Sequence, residues 1–169
     1  MTRWGGAAAR WRAVVPWAGT AGRLLLGGVW LAAGVAKVGD LAASGRAVHA
    51  YRLTPYDVSV AIGAALPMVE LVLAALLLVG VATRVAATVS ALLLAAFVTG
   101  IASAWARGLR IDCGCFGGGG DLAEGVDPAY LSEIARDLGL LVVAMFLVIY
   151  PVTRFSLDAR LASQRRVRS

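Results

Sequence analysis

The sequence predicts an all-α integral membrane bundle of four transmembrane helices. Apolar residues make up 60% of the 169 residues, charged residues only 15%, and the mean hydropathy is +0.79. A soluble domain usually has roughly a quarter of its residues charged. Four stretches of roughly 20 mainly apolar residues match the thickness of the hydrocarbon core. Because lipid offers no hydrogen-bond partners to a backbone, helices are the structure expected to cross it.

The first half of the chain predicts two spans. A basic cytoplasmic N-terminal segment, residues 1–17, precedes the first span, residues 18–38. A secretory signal peptide has the same order of charge and hydrophobicity, but this apolar stretch is long for one and further spans follow, so we expect it to be retained. Thr54 and Pro55 give a turn signal before the second span, residues 58–79.

The second half predicts two more spans, residues 85–106 and 131–151, followed by a basic cytoplasmic tail, residues 152–169. Asp127 followed by Pro128 predicts an N-cap with proline at the first position of the fourth helix. The loop between these spans, residues 107–127, holds both cysteines of the chain. Small residues on the first span predict a close-packing helix face, formed by Gly27, Gly28, Ala32, Ala33 and Gly34.

The basic residues predict the orientation of the bundle, since lysine and arginine are enriched in cytoplasmic segments. With both termini in the cytoplasm, the inner side has Arg3, Arg10, Arg12, Arg23, Arg84, Arg154, Arg160, Arg165, Arg166 and Arg168. The outer side then has fewer, namely Lys37, Arg46, Arg52, Arg107, Arg110 and Arg136. We therefore expect a multi-pass plasma-membrane protein with an extracytoplasmic cysteine loop. The same pattern accounts for the net charge of +6 without nucleic-acid binding.

The spacing of the two cysteines predicts thiol–disulfide chemistry. A disulfide between Cys113 and Cys115 closes a very small ring, so it is strained and easily reduced. Gly114 relaxes the strain, and Arg107 and Arg110 near the pair favour a thiolate while Asp112 opposes it. Phe116 adds an apolar contact, and the following glycines give the loop freedom to present the sulfurs to another protein. The extracytoplasmic side is also where disulfides persist.

Two other interpretations of the cysteines stay open. The pair forms an inert structural disulfide, although so small a ring constrains little chain entropy. Alternatively it binds a metal, but two thiolates supply only half of a tetrahedral zinc site. The single histidine, His49, lies in a different loop and is expected to be solvated. No metal site is therefore predicted.

Ionisable residues within the spans are a second group of candidate site residues, since charge is costly in lipid and usually faces a partner. Counting about 1.5 Å of depth per residue places Arg23 and Glu70 at similar depth, which predicts a pair between them. Lys37 is expected to reach outward to the surface. Arg136 and Asp137 form another buried polar candidate. Such groups either fix helix register or serve in proton handling or quinone binding.

Several segments together resemble a known family. The stretch Leu24 to Lys37 is similar to the first helix of the DoxX-like superfamily, and Leu66 to Leu71 with Leu76 to Gly80 is similar to its second helix. Cys113-Gly114-Cys115-Phe116-Gly117 resembles the C-G-C-F-G signature of the MauE branch, the methylamine utilisation protein family. The resemblance covers about residues 23–150 and is most specific in the cysteine motif.

The resemblance implies a four-helix membrane protein linked to the maturation of methylamine dehydrogenase, whose small subunit is rich in disulfides. It makes Cys113 and Cys115 the redox pair and an extracytoplasmic thioredoxin-like or DsbA-like protein the partner. Electrons then pass onward to a quinone or to another subunit. The alternative is a non-catalytic DoxX-like scaffold, or a small subunit of a respiratory or oxidative-stress complex. A small transporter using Glu70 is a weaker third hypothesis, and the sequence leaves homo-oligomers open.

Overall fold

A computed structural model describes the backbone of residues 3–158, with side chains at position 11 and from position 13 onward. The elements in chain order are α1 (Arg3–Val38), α2 (Leu41–Ala50), α3 (Tyr56–Val79), α4 (Thr83–Ala106), β1 (Ile111–Asp112), β2 (Gly120–Asp121) and α5 (Tyr130–Ile149). The side chains of Arg3, Arg10 and Arg12, and the tail from residue 159 onward, lie outside the described part. The orientation predicted from them therefore stays a prediction.

Within residues 3–158, three helices are long and apolar enough to cross a membrane, Ala13–Val38, Tyr56–Val79 and Thr83–Ala106. They overlap the first three predicted spans. The predicted fourth span, residues 131–151, corresponds to α5, whose first two turns include Glu133, Arg136 and Asp137. Because of these charges α5 is not among the membrane-spanning candidates, so three spans are supported and a fourth stays a prediction.

Helix α1 packs against α3, and α4 packs against α5, around one apolar core. That core includes Leu26, Trp30, Leu73, Leu77, Leu94, Ala144 and Leu147, so all four long helices contribute to it. Large apolar side chains on the outer faces stay exposed, for example Val72, Leu92 and Val142. Outward apolar faces of this extent suit a helix bundle surrounded by lipid.

The predicted close-packing face on α1 is confirmed in part. A Cβ added to Gly34 lies 2.8 Å from Leu71, and one added to Gly27 lies 3.0 Å from Leu78, so α1 and α3 approach closely at both positions. Ala33 is also buried, whereas Gly28 faces open space. Two glycines one heptad apart therefore set the distance between α1 and α3.

Two local features differ from the prediction. The polar segment after the first span contains α2, whose N-cap Asp40 accepts a hydrogen bond from the Ala43 amide at 2.8 Å. Helix α5 begins at Tyr130 after the N-cap Ala129, so Asp127 and Pro128 are not its capping residues. The α5 N-terminus is instead fixed by Tyr130, whose ring packs with Ile111 in a second apolar cluster. This contact ties the start of α5 to the cysteine loop.

Candidate functional site

The cysteine loop is a short hairpin, which we call the cysteine hairpin, residues 111–121. Strand β1 pairs with β2 in antiparallel register, and the loop between them contains both cysteines. The Tyr130 hydroxyl donates to the Leu109 carbonyl at 2.5 Å and accepts from the Ile111 amide at 3.1 Å. These bonds hold the base of the hairpin against α5.

The glycines of the hairpin have a packing role that the sequence prediction missed. Gly114 and Gly119 both have positive φ angles, 67° and 83°. A Cβ on either glycine lies 2.7 Å from the Cβ of Ala47 on α2. Side chains at these positions are thus excluded both by backbone conformation and by space. The predicted freedom of the loop is therefore replaced by a defined hairpin packed on α2.

The two cysteine side chains lie in hydrogen-bonding contact as half-buried free thiols. The Cys115 amide donates to Cys113 Sγ at 3.3 Å, and the Gly114 amide donates to Asp112 Oδ1 at 2.8 Å. Both bonds turn the backbone so that the two sulfurs face each other. This arrangement places the two sulfurs so that a disulfide would close the small ring between Cys113 and Cys115.

The surroundings make the two thiols chemically unequal. A hydrogen bond from the Cys113 thiol lowers the pKa of Cys115, and the charges of Arg136 and Lys37 act in the same direction. That same bond and burial raise the pKa of Cys113, and the carboxylate of Glu133 adds to the rise. Cys115 therefore ionises more readily than Cys113.

The cation near the thiolate is different from the predicted one. Arg110 donates to the Val126 carbonyl at 2.7 Å, and Arg107 donates to the Tyr51 carbonyl at 2.6 Å, so both hold backbone in place. Arg136 on α5 has the role that the sequence assigned to Arg110. Its guanidinium lies 5.0 Å from the centre of the Phe116 ring, and its charge acts on Cys115. Phe116 therefore lies beside the guanidinium of Arg136.

Arg136 is also joined to Asp137, as the sequence suggested for a buried polar pair. Arg136 Nε donates to Asp137 Oδ1 at 2.9 Å, and the Asp137 side chain is only 3% exposed. The second oxygen of Asp137, Oδ2, is buried without a hydrogen-bond partner among the described residues. A buried carboxylate oxygen without a partner is costly and points to a water or a proton at that position.

The predicted pair between Arg23 and Glu70 is wrong. Lys37 is fully buried and donates to Glu70 Oε1, with side-chain exposures of 3% and 0%. The expectation that Lys37 reaches outward is therefore also wrong. Arg23 instead donates to the Leu77 carbonyl at 2.8 Å and to the Leu78 carbonyl at 3.1 Å. Arg23 thus binds the C-terminal end of α3, where helix carbonyls lack partners.

A narrow cavity connects these groups. Its lining includes Cys115, Glu70, Arg136, Asp137 and Trp30. The cavity has a volume of about 20 Å³, which is room for about one water. The unpartnered oxygens of Glu70 and Asp137 both belong to residues that line it. Cys115 and the two buried carboxylates therefore line one mainly apolar cavity.

Sequence reasoning included Asp112 but missed Glu133, the second acidic residue beside Cys113. Cys113 Sγ, a carboxylate oxygen of Asp112 and a carboxylate oxygen of Glu133 all lie within 4.8 Å of one another. Glu133 precedes Arg136 by one helical turn, so the two share one face of α5. The three-residue spacing of Glu133 and Arg136 could have indicated this from sequence, because it places an acidic and a basic side chain next to each other on α5. His49 lies elsewhere, with its ring 5.2 Å from that of Tyr56.

These features define the class of the protein as a helical membrane protein that presents a polar, cysteine-containing hairpin at one end of its bundle. Residues 15–150 match the family described as "Methylamine utilisation protein MauE", and the chain therefore belongs to that family. Comparisons with curated proteins and with solved structures gave no match. The DoxX-like placement is compatible with this family and stays a prediction.

Proposed function

We propose that the protein exchanges electrons with an extracytoplasmic thioredoxin-like or DsbA-like partner through Cys113 and Cys115. The main support is the difference between the two thiols. The pKa of Cys115 is lowered and that of Cys113 is raised, because the Cys113 thiol donates a hydrogen bond to Cys115 Sγ. Unequal neighbouring thiols suit a reaction in which one sulfur attacks and the other resolves. Membership of the methylamine utilisation family fits this chemistry, as maturation of a disulfide-rich enzyme is the use that the resemblance implies.

The proposed reaction has two steps and starts from reduced Cys113 and Cys115. Cys115 thiolate attacks a sulfur of the partner's disulfide, which forms a mixed disulfide and releases a partner thiolate. Cys113 then attacks Cys115 Sγ, so the intramolecular disulfide forms and the second partner sulfur leaves. Two electrons move to the partner, the Cys113 proton is released to water, and the two partner thiolates take up protons from water to give a dithiol. The same steps in reverse oxidise the partner.

The proposal places the cysteine hairpin outside the cytoplasm and both termini inside, in line with the distribution of basic residues. It includes no quinone step, and the quinone stays an expectation from the sequence. Another protein subunit then exchanges electrons with the pair. The scaffold alternative requires neither cysteine, and this difference makes the two functions separable by experiment.

Alkylation trapping in intact cells tests the proposal on single cysteine variants. Cys113→Ser leaves the attacking Cys115 without its resolving partner, so we expect a trapped mixed disulfide of higher mass. Cys115→Ser removes the attacking sulfur, and we expect little or no adduct. The variant lacking both cysteines is the control for unrelated adducts. Absence of any adduct in Cys113→Ser contradicts the proposal, and stable co-purification of partners with the cysteine-free variant supports the scaffold.

A further inference from the structure

Glu133 is the acidic side chain in the first turn of α5 that faces Cys113. Its carboxylate oxygen lies within 4.8 Å of Cys113 Sγ, which is within reach through one water or a small side-chain rotation. The Oε2 atom is buried and has no hydrogen-bond partner among the described residues. An acceptor oxygen is thus available next to the thiol that must lose a proton during resolution.

The two cysteines differ in their charged neighbours. Cys115 lies near Asp137, which opposes its thiolate, and near Arg136 and Lys37, which favour it. Cys113 lies near Glu133, which disfavours a permanent thiolate there, and its side chain also contacts Arg136. A carboxylate is unfavourable beside a group that must be ionised at rest, but it is suitable beside one that gives up its proton only when it reacts. Glu133 therefore stands where Cys113 needs a base.

We propose that Glu133 is the general base that removes the Cys113 proton when Cys113 attacks the mixed disulfide on Cys115. This inference rests on the proposed function and adds a residue to it. In the step, the Cys113 S–H bond breaks and its proton passes to a Glu133 oxygen. The Cys113 sulfur forms a bond to Cys115 Sγ, and the bond between Cys115 and the partner sulfur breaks with its electron pair leaving on the partner.

Asp112 is the other acidic neighbour, but it is less suited to this role. Its Oδ1 accepts a hydrogen bond from the Gly114 amide, and its side chain is exposed to solvent. It shapes the turn between the cysteines. Glu133 is half-buried and its Oε2 has no competing donor in the described part of the chain.

The test uses the reduced full-length protein in lipid nanodiscs with one equivalent of an aromatic disulfide, 5,5′-dithiobis(2-nitrobenzoate). Attack by Cys115 releases a first thionitrobenzoate, and attack by Cys113 on the resulting mixed disulfide releases a second. With a single equivalent of reagent, only resolution produces the second release. Stopped-flow absorbance therefore measures the two steps separately and needs no natural partner.

We expect Glu133→Gln to leave the first release within about twofold of wild type and to slow the second by about 10²-fold. Glu133→Asp keeps a carboxylate and should recover part of the rate. Glu124→Gln makes the same chemical change at an exposed position of the same loop and should change neither step. An unchanged first release also shows that the variant is folded at the hairpin.

The direction of the effect separates a base from a mere neighbouring charge. Loss of the carboxylate charge alone raises the thiolate fraction of Cys113 and speeds the second release. A second release that is unchanged or faster in Glu133→Gln therefore overturns the role of Glu133 and leaves the proposed function intact. A wild-type protein that releases only one equivalent contradicts the proposed function itself.

Discussion

At the cysteine end of the bundle, the buried Lys37 and Asp137 side chains each pair with another charged side chain, whereas at the opposite end the buried Arg23 and the half-buried Asp158 contact the backbone. The cysteine end contains the Lys37–Glu70 and Arg136–Asp137 pairs. At the opposite end, Arg23 donates to carbonyls at the end of α3, and the Asp158 carboxylate accepts from the amides that begin α4, at 3.0–3.1 Å.

This difference separates a structural use of charge from a chemical one. Arg23 and Asp158 satisfy helix-end groups that otherwise lack partners, which stabilises the connection between α3 and α4. In both pairs one buried carboxylate oxygen, on Glu70 and on Asp137, has no hydrogen-bond partner among the described residues, and both residues line the cavity that reaches Cys115. Ionic groups with unused acceptors beside a thiolate are typical of sites where protons move.

The largest expected effect comes from separating the buried ion pair. Lys37→Met leaves the Glu70 carboxylate buried without its partner, and we expect a loss of about 3–5 kcal/mol in unfolding free energy. Titration with sodium dodecyl sulfate in mixed micelles measures it. The matched control is Arg46→Met, which breaks the exposed pair with Asp40 and should cost less than about 1 kcal/mol.

A double variant sharpens that result. Lys37→Met with Glu70→Leu removes both charges, so it should be more stable than either single variant. The interpretation of the pair as a coupled unit fails if Lys37→Met costs no more than Arg46→Met, or if the two single losses simply add.

Arg23→Met tests the opposite end. It removes hydrogen bonds from a buried guanidinium to the Leu77 and Leu78 carbonyls, and we expect a loss of about 2–3 kcal/mol. Both thionitrobenzoate releases should stay at the wild-type rate, because this end does not contact the cysteines. Arg84→Met changes an exposed arginine at the same end and serves as the control. A changed thiol rate in Arg23→Met contradicts the division between the two ends.

The spans were predictable from the sequence, and the pairing of buried charges was not. Hydrophobicity and length fix where a helix enters and leaves lipid, so the ends at Val38, Val79 and Ala106 agree with prediction. The depth count that paired Arg23 with Glu70 ignored the direction of helical side chains. These point toward the N-terminus of their own helix.

That direction explains the observed partners. Since α1 and α3 are antiparallel, Lys37 and Glu70 lean toward each other, whereas Arg23 leans away from Glu70 toward the end of α3. The cysteine motif was found from sequence because its spacing is local. Glu133 lies 20 residues along the chain from Cys113, and only the packing of the hairpin on α5 brings the two together.

The hairpin glycines offer a smaller test at the cysteine end. Gly114→Ala and Gly118→Ala both place an alanine at positive φ, 67° and 69°, which costs about 1–2 kcal/mol. Only Gly114→Ala also meets Ala47, whereas Gly118 faces open space. We therefore expect a larger loss of stability and a slower second thionitrobenzoate release in Gly114→Ala alone. Adding Ala47→Gly should restore part of both, and equal effects in the two alanine variants contradict the packing role.

The finest test concerns the charges around Cys115, measured as the pH dependence of its alkylation in a Cys113→Ser background. Arg136 lowers the pKa of Cys115, so Arg136→Gln should move the alkylation midpoint to higher pH. Asp137 raises that pKa, so Asp137→Asn should move the midpoint to lower pH. The Asp137 change also frees Arg136 Nε to turn toward the thiolate, which acts in the same direction.

The opposite signs are what make this pair of variants informative. A general disturbance of α5 exposes Cys115 to water and shifts both midpoints in the same direction, because burial raises the pKa of the thiol. Shifts of opposite sign therefore show that Arg136 and Asp137 act on the thiolate through their charges. Shifts of the same sign reduce the pair to a structural contact like that of Arg23, and the contrast between the two ends of the bundle then disappears.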